Sequence, residues 1–279
     1  MIPSLRRVNI EITNACNLNC RICADRRERR ISYIDPIVVE FLLKELKKEM
    51  KPFPEVRLFL SGEPTMHVRF LEVMKRTLAL NVPILIHTNG IKMDEKMIDQ
   101  LAQFDLENLH VSFSLDGGDP NSYREIRLNP NFDKIKSNIQ YFIAKHTKAK
   151  ITVQCIVTFN NKRRIPYITK LYKNMFSGAR IYVRTPHNWN VADSVNGSES
   201  KRYGFPCDFL FHDLVIYSDL TVGLCCACLN QEVTFGNIIT DFNSSIIDAF
   251  YCDGLKDYRK RMLNREYVPV CSECERYNP

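Results

Sequence analysis

Three thiols open the chemistry of this chain. Cys16, Cys20 and Cys23 stand in Cys16-Asn17-Leu18-Asn19-Cys20-Arg21-Ile22-Cys23, directly after the alternating run Val8-Asn9-Ile10-Glu11-Ile12-Thr13, which predicts a strand. Three thiolates on a loop leaving a strand suit three irons of a cubane [4Fe–4S] cluster, whose protein ligands are cysteines. The fourth iron then lacks a protein ligand and is open to a small chelating molecule, as catalytic metal sites are and structural ones are not. Two other readings fit the three thiols taken alone: a zinc ion with a distant fourth ligand, or no metal.

A second constellation lies near the C-terminus: Cys207, Cys225 and the pair in Cys271-Ser272-Glu273-Cys274. The pattern predicts a strand Phe211 to Tyr217, a turn Ser218-Asp219-Leu220-Thr221 and a return strand Val222-Gly223-Leu224, which brings Cys207 near Cys225. Phe235-Gly236-Asn237-Ile238 then leads to a helix, Ser244 to Leu263, returning the chain to the last pair. A four-thiolate site follows, and spacing alone admits zinc or iron–sulfur. Cys226 and Cys228 compete with Cys225 as ligand. Cys155 reads as core packing, and Cys252, Cys226 or Cys228 are also candidates for donating a hydrogen atom to a substrate radical.

The elements that must position these groups follow from periodicity. Strands are expected at Val56–Leu60, Pro83–His87, Leu109–Leu115, Ile151–Val157 and Arg180–Arg184. Helices are expected at Asp35–Met50, Val68–Leu80, Asp94–Phe104, Phe132–Lys145 and Ile165–Met175. Six alternating strand–helix units imply right-handed parallel crossovers, and six rather than eight make a partial barrel with its chemistry at the carboxyl ends of the strands.

The 279 residues are 45% apolar and 25% charged, a globular composition. No apolar stretch of about eighteen residues and no signal-peptide core is present, so no membrane is expected and the location is cytoplasmic by default. There the eleven cysteines argue for metal or catalysis rather than disulfides. The net charge of +7 owes much to Arg26-Arg27-Glu28-Arg29-Arg30, which reads as a solvated face or as an attractor for an anionic substrate or acidic donor protein. Nothing indicates nucleic-acid binding.

The C-x3-C-x2-C loop resembles that of the radical S-adenosylmethionine (SAM) enzymes, and so do the strand ends. Ser61-Gly62-Glu63-Pro64 resembles the family's GGEP motif, with Ser61 for the first glycine. His87-Thr88-Asn89-Gly90 resembles its TNG turn, and Ser112-Phe113-Ser114-Leu115-Asp116-Gly117 its S-x-D-G segment. Arg127, in Tyr123-Arg124-Glu125-Ile126-Arg127, matches the arginine that pairs with the SAM carboxylate. Ile22 stands where an aromatic often precedes the third cysteine, near the adenine. The resemblance implies that Ile22, Ser61, Gly62, Glu63, Pro64, Asn89, Ser112, Ser114 and Arg127 bind SAM. It further implies that Cys16, Cys20 and Cys23 carry the cluster whose reductive cleavage of SAM gives a 5′-deoxyadenosyl radical.

From Arg184 to Asn190 an Asn-Trp pair, and then the order Cys, hairpin, Cys-Cys, Gly-Asn-Ile, helix, C-x2-C, are similar to the SPASM/twitch branch, with Leu220 where glycine is usual. His187 is a candidate to line the substrate pocket. This similarity implies a partial (β/α)6 barrel over 1–190 and a twitch domain over 191–279. That domain would hold one auxiliary [4Fe–4S] cluster on Cys207, Cys225, Cys271 and Cys274. It implies a flavodoxin- or ferredoxin-type electron donor as partner, and oxidation of a small hydroxylated, sugar- or cyclitol-like molecule as in the aminocyclitol dehydrogenases. A peptide-modifying maturase is the alternative, disfavoured because strand one begins within ten residues of Met1, leaving no N-terminal peptide-binding domain. A structural-zinc or iron–sulfur electron-transfer protein is the non-enzyme alternative.

Overall fold

The computed structural model describes residues 3–25, 28–145, 147–185 and 205–274. Strands and helices alternate through β1 (Arg7–Ile10), α1 (Pro36–Glu49), β2 (Glu55–Arg57), α2 (Phe70–Leu78), β3 (Ile84–Thr88), α3 (Glu95–Leu101) and β4 (Leu109–Ser114). They continue through α4 (Pro120–Arg127), α5 (Phe132–Ala144), β5 (Lys150–Ile156), α6 (Ile165–Met175) and β6 (Arg180–Arg184). Neighbours among β1 to β6 pair in parallel in chain order, as a partial barrel requires. Helix starts carry local signals: Asp35 caps α1 by accepting from the Ile37 N–H at 2.8 Å with Pro36 next, and Asp119 does the same for Ser122 at 2.9 Å with Pro120 next.

The central strands β1, β3 and β4 are largely buried on both faces, so they read as apolar runs, whereas β6 at the sheet edge is not. Val8, Ile10, Val56, Ile86, Val111 and Phe113 are closed off from water, facing helices whose buried stripes include Leu42, Leu43, Ile139 and Phe142. Each such side chain contributes about 1.5–3 kcal/mol by its burial. This packing holds the strand ends, and the loops on them, in fixed register.

The C-terminal part comprises α7 (Asp208–His212), β7 (Asp213–Ile216), β8 (Thr221–Gly223), β9 (Thr234–Asn237), α8 (Ile246–Phe250) and α9 (Asp253–Leu263). β7 pairs in parallel with β1, from Arg7 opposite Asp213 to Ile10 opposite Ile216, and β8 and β9 follow antiparallel. The sheet is therefore continuous, in the order β6-β5-β4-β3-β2-β1-β7-β8-β9. The later hairpin grows from the edge of the barrel.

Three expectations are corrected. The strand expected over Val8–Thr13 ends at Ile10, because Glu11 turns its side chain to three other segments and Thr13 Oγ1 donates to the Ser32 carbonyl at 2.9 Å. The strand expected from Phe211 starts only at Asp213. The preceding turn is helical, and its Leu210 carbonyl accepts from Arg259 Nε at 2.9 Å. The helix expected from Ser244 to Leu263 is two helices, broken at Tyr251 and Cys252. Gly254 packs so closely that a Cβ there would lie 2.3 Å from Phe235, so α9 must leave the line of α8 to make that contact. The expectations for His187, for the segment from Pro186 to Lys201 and for a boundary after residue 190 fall outside the described residues.

Candidate active site

The carboxyl ends of the strands surround a cavity of about 410 Å³. Cys16, Cys20 and Cys23 line it, as do Ile22, Ser61, Gly62, Glu63, Asn89, Ser114 and Arg127. Two of the residues singled out by sequence do not reach it. Pro64 is buried at the start of a short turn, Pro64–Met66, and Ser112 is buried one pleat below Ser114 on β4.

The three thiols are held by loops that touch. Gly62 passes so near the segment before the thiols that a Cβ would meet the Thr13 carbonyl oxygen at 2.3 Å, and the Glu63 N–H donates to the Ala15 carbonyl at 2.8 Å. Asn89 Nδ2 donates to Asn17 Oδ1 at 2.7 Å, joining the turn after β3 to the thiol loop. Glu63 is buried and accepts from Thr65 N–H (3.1 Å), Thr65 Oγ1 (2.6 Å), Thr88 Oγ1 (2.8 Å) and Asn89 N–H (2.6 Å). Burial raises its pKa and these four donors oppose the rise. With its oxygens so engaged, the Glu63 side chain shapes the Thr88-Asn89 turn.

Sequence reasoning missed several groups, and the most buried of them is a carboxylate. Glu11, fully buried, accepts from Arg29 Nη1 (2.8 Å) and Nη2 (2.6 Å), from the Ser61 hydroxyl, and from Ser218 N–H (3.1 Å) and Oγ (2.8 Å). It ties β1 to the end of the thiol loop, the loop after β2 and the β7–β8 turn. The signal was present: a carboxylate inside an otherwise apolar alternation. Arg29 corrects the reading of its run as a solvated face, since it is 13% exposed and lies over the Tyr217 ring, while Arg26 and Arg27 fall outside the described residues.

Arg127 ends α4 with its Nε on Asp116 Oδ2 at 2.5 Å and its Nη1 3.5 Å from Cys20 Sγ. Asp116 is fully buried, and its other oxygen accepts from the Ile156 N–H at 2.7 Å.

The cavity is lined also by Asn9, Arg57, His87, Gln154 and Arg184, and by the apolar Phe59, Leu85, Phe209 and Leu229. His87 stacks on Phe59 at 4.2 Å. Burial, with the positive charges of Arg57 and Arg184 in support, pushes its pKa down to about 3, so it is neutral at ordinary pH.

The second thiol set also meets. Cys207, Cys225, Cys271 and Cys274 line one pocket of about 20 Å³, walled otherwise by Phe209, Leu210, Leu224, Ala227 and Met262. Cys226, next in sequence, lines the large cavity instead, and Cys228 is buried in the core. Burial pushes the Cys207 thiol up to about 11 and raises Cys271. A hydrogen bond from Cys228 holds Cys225 low and pushes Cys228 up. Among the described residues no three His, Cys, Asp or Glu side chains are grouped tightly enough to hold one metal ion as they stand, and this holds for both thiol sets. The donors fit iron–sulfur chemistry at both places: three thiols beside a large polar space, and four around a small apolar one.

Comparison with known proteins agrees with this arrangement. Residues 10–165 match the family model described as the Radical SAM superfamily. A tungsten-containing aldehyde ferredoxin oxidoreductase cofactor-modifying protein of Pyrococcus furiosus is 26% identical over 182 residues, covering 61% of this chain and 49% of that protein. The chain spans about half the length of such curated relatives. Among solved structures, anSMEcpe with bound AdoMet and Kp18Cys peptide superposes with a TM-score of 0.71 at 18% identity, covering 97% of this chain and 86% of that one. BtrN in complex with AdoMet and 2-DOIA superposes with a TM-score of 0.60 at 15% identity, covering 94% and 88%. No helix among the described residues is long and apolar enough to cross a membrane. The chain belongs to the Radical SAM superfamily, with a fold of the SPASM/twitch type, and is thus an enzyme whose family uses a [4Fe–4S] cluster and SAM.

Proposed function

We propose that this enzyme removes a hydrogen atom from a small hydroxylated molecule of sugar or cyclitol type and completes a two-electron oxidation through an auxiliary cluster. The shared wall between the two thiol sites carries this reading. Phe209 lines both cavities, and the consecutive residues Cys225 and Cys226 face one each. A substrate in the large cavity therefore lies next to the closed thiol pocket, on the side where a second electron would leave it. BtrN is described in complex with AdoMet and 2-DOIA, and anSMEcpe with AdoMet and a peptide, so this fold holds ligands of both sizes.

A [4Fe–4S] cluster on Cys16, Cys20 and Cys23 would supply the electron for reductive SAM cleavage and the hydrogen abstraction that follows. Ile22, Ser61, Gly62, Glu63, Asn89 and Ser114 line the end of the cavity nearest those thiols, and to them we assign SAM. Asn9, Arg57, Gln154 and Arg184 offer donors and acceptors for substrate hydroxyls, and neutral His87 carries one donor and one acceptor nitrogen. Phe59, Leu85 and Phe209 exclude water between them. Residues 1–190 in this reading form the barrel and 191–279 the auxiliary-cluster unit on Cys207, Cys225, Cys271 and Cys274, with a flavodoxin- or ferredoxin-type protein as reductant.

The test is anaerobic reconstitution with iron and sulfide, then dithionite and SAM with a panel of cyclitols, sugars and peptides. The expectation is about eight irons per chain for two cubanes, and 5′-deoxyadenosine formation that rises with a hydroxylated small molecule as that molecule becomes a carbonyl. Stimulation by peptides alone would replace the reading with a peptide maturase. About four irons, or zinc in the second site, would remove the oxidative step.

A further inference from the structure

We infer that Arg127 sets the reduction potential of the SAM-side cluster by hydrogen-bonding its Cys20 thiolate, rather than by clasping the SAM carboxylate. The inference rests on the assignment of Cys16, Cys20 and Cys23 as cluster ligands. A guanidinium holds a carboxylate with two parallel N–H groups along one edge. Here Nε is spent on Asp116 at 2.5 Å, which takes a prong from the Nε–Nη2 edge, and Nη1 points to Cys20 Sγ at 3.5 Å, so the thiolate competes for the remaining end of the fork. Asp116 cannot release it cheaply, being fully buried and itself fixed by the Ile156 N–H at 2.7 Å.

The backbone makes the same junction. The Arg21 N–H donates to the Ile126 carbonyl at 3.0 Å, and α4 stops at once because Leu128 adopts a left-handed conformation (φ 54°). The end of α4 is thereby docked on the thiol loop at two neighbouring points, the Arg21–Ile126 backbone bond and the Cys20–Arg127 contact. A cationic donor aimed at a ligating sulfur draws charge from it and favours the state carrying one more electron. Arg127 is a positioning and tuning residue on this account, and Asp116 is what aims it.

The experiment is an anaerobic redox titration without SAM, followed by electron paramagnetic resonance. The SAM-side cluster is identified as the one whose signal later changes on SAM addition. Arg127→Gln should lower the ratio of reduced to oxidised cluster at a fixed potential about tenfold, equivalent to ~59 mV for one electron, and Asp116→Asn should lower it by part of that. Arg127→Lys, which keeps the charge but not the fork, should fall between Gln and wild type. Affinity for SAM should change less than threefold in all three. An unmoved potential with SAM binding weakened tenfold or more would overturn the inference and return Arg127 to the carboxylate. Loss of the cluster from both Arg127 variants would overturn it as well, because a tuning contact alters a potential and not a ligand set. A wild-type chain that assembles no SAM-responsive cluster would instead sink the assignment underneath.

Discussion

The two thiol sites use the same donor in opposite surroundings. Cys16, Cys20 and Cys23 sit on a loop around about 410 Å³ of space lined by asparagines, serines, arginines and a histidine. Cys207, Cys225, Cys271 and Cys274 close on about 20 Å³ walled by Phe209, Leu210, Leu224, Ala227 and Met262. The first has one ligand too few for a cubane and room beside it; the second has four and none. An open site can bind and change a small molecule, whereas a closed, apolar one can only hold and pass charge. That difference, more than the cysteines themselves, divides the labour proposed for them.

The largest effect should come from the open site. Replacing Cys16, Cys20 and Cys23 together by alanine should abolish 5′-deoxyadenosine formation while iron falls only from about eight to about four per chain. Cleavage that survives would end the assignment of that loop. Next come the neighbours on the dividing wall. Cys225→Ser should lose about four irons and product formation but keep SAM cleavage, whereas Cys226→Ser should keep all about eight. The reverse result would move the closed site by one residue and put Cys225 on the substrate cavity. A smaller effect is expected at Gly62, where a Cβ would lie 2.3 Å from the Thr13 oxygen and 2.8 Å from Asn14 Cα. Gly62→Ala must push the loop after β2 off the thiol loop, and equilibrium dialysis should show SAM binding weakened about tenfold, or 1.4 kcal/mol. Unchanged SAM affinity would mean that this loop does not shape the SAM end of the cavity.

Most of the open site was legible because its parts are local. The thiol spacing and the short segments after β2, β3 and β4 are each written within a few residues, and parallel strands carry them to one rim whatever their side chains. The contacts that tune those parts were not legible, because they join residues remote in sequence. Glu11 reaches Ser218, Arg127 reaches back to Cys20, and Glu63 spends itself on Thr88 and Asn89. The four cysteines singled out for the closed site do line one pocket, but its scaffold read poorly. Nothing local says that β7 will pair with β1 some two hundred residues away, and the alternation of Phe209 and Phe211 serves a buried helical turn as readily as a strand. The break at Cys252 is of the same kind, since it depends on how closely Gly254 approaches Phe235.

The smallest effect tests how wet the open site is at its floor. His87 lies there between Phe59 and two arginines, and its pKa falls from the usual 6.5 to about 3, burial being the main cause. The folded chain thus binds fewer protons than the unfolded chain between those values. A depressed value of this kind contributes stability that is fully present above pH 6.5 and is lost as pH drops toward 3. At pH 5.5 the loss from this one group is about 1 kcal/mol. His87→Phe keeps a ring against Phe59 and has nothing to protonate, so its stability should fall less on acidification. Denaturant melts at pH 7.5 and 5.5 measure the difference, with the other histidines common to both chains. Curves that run parallel would show that water reaches His87. The large cavity would then be open along its whole depth, and a dry floor could not be part of what separates it from the closed pocket.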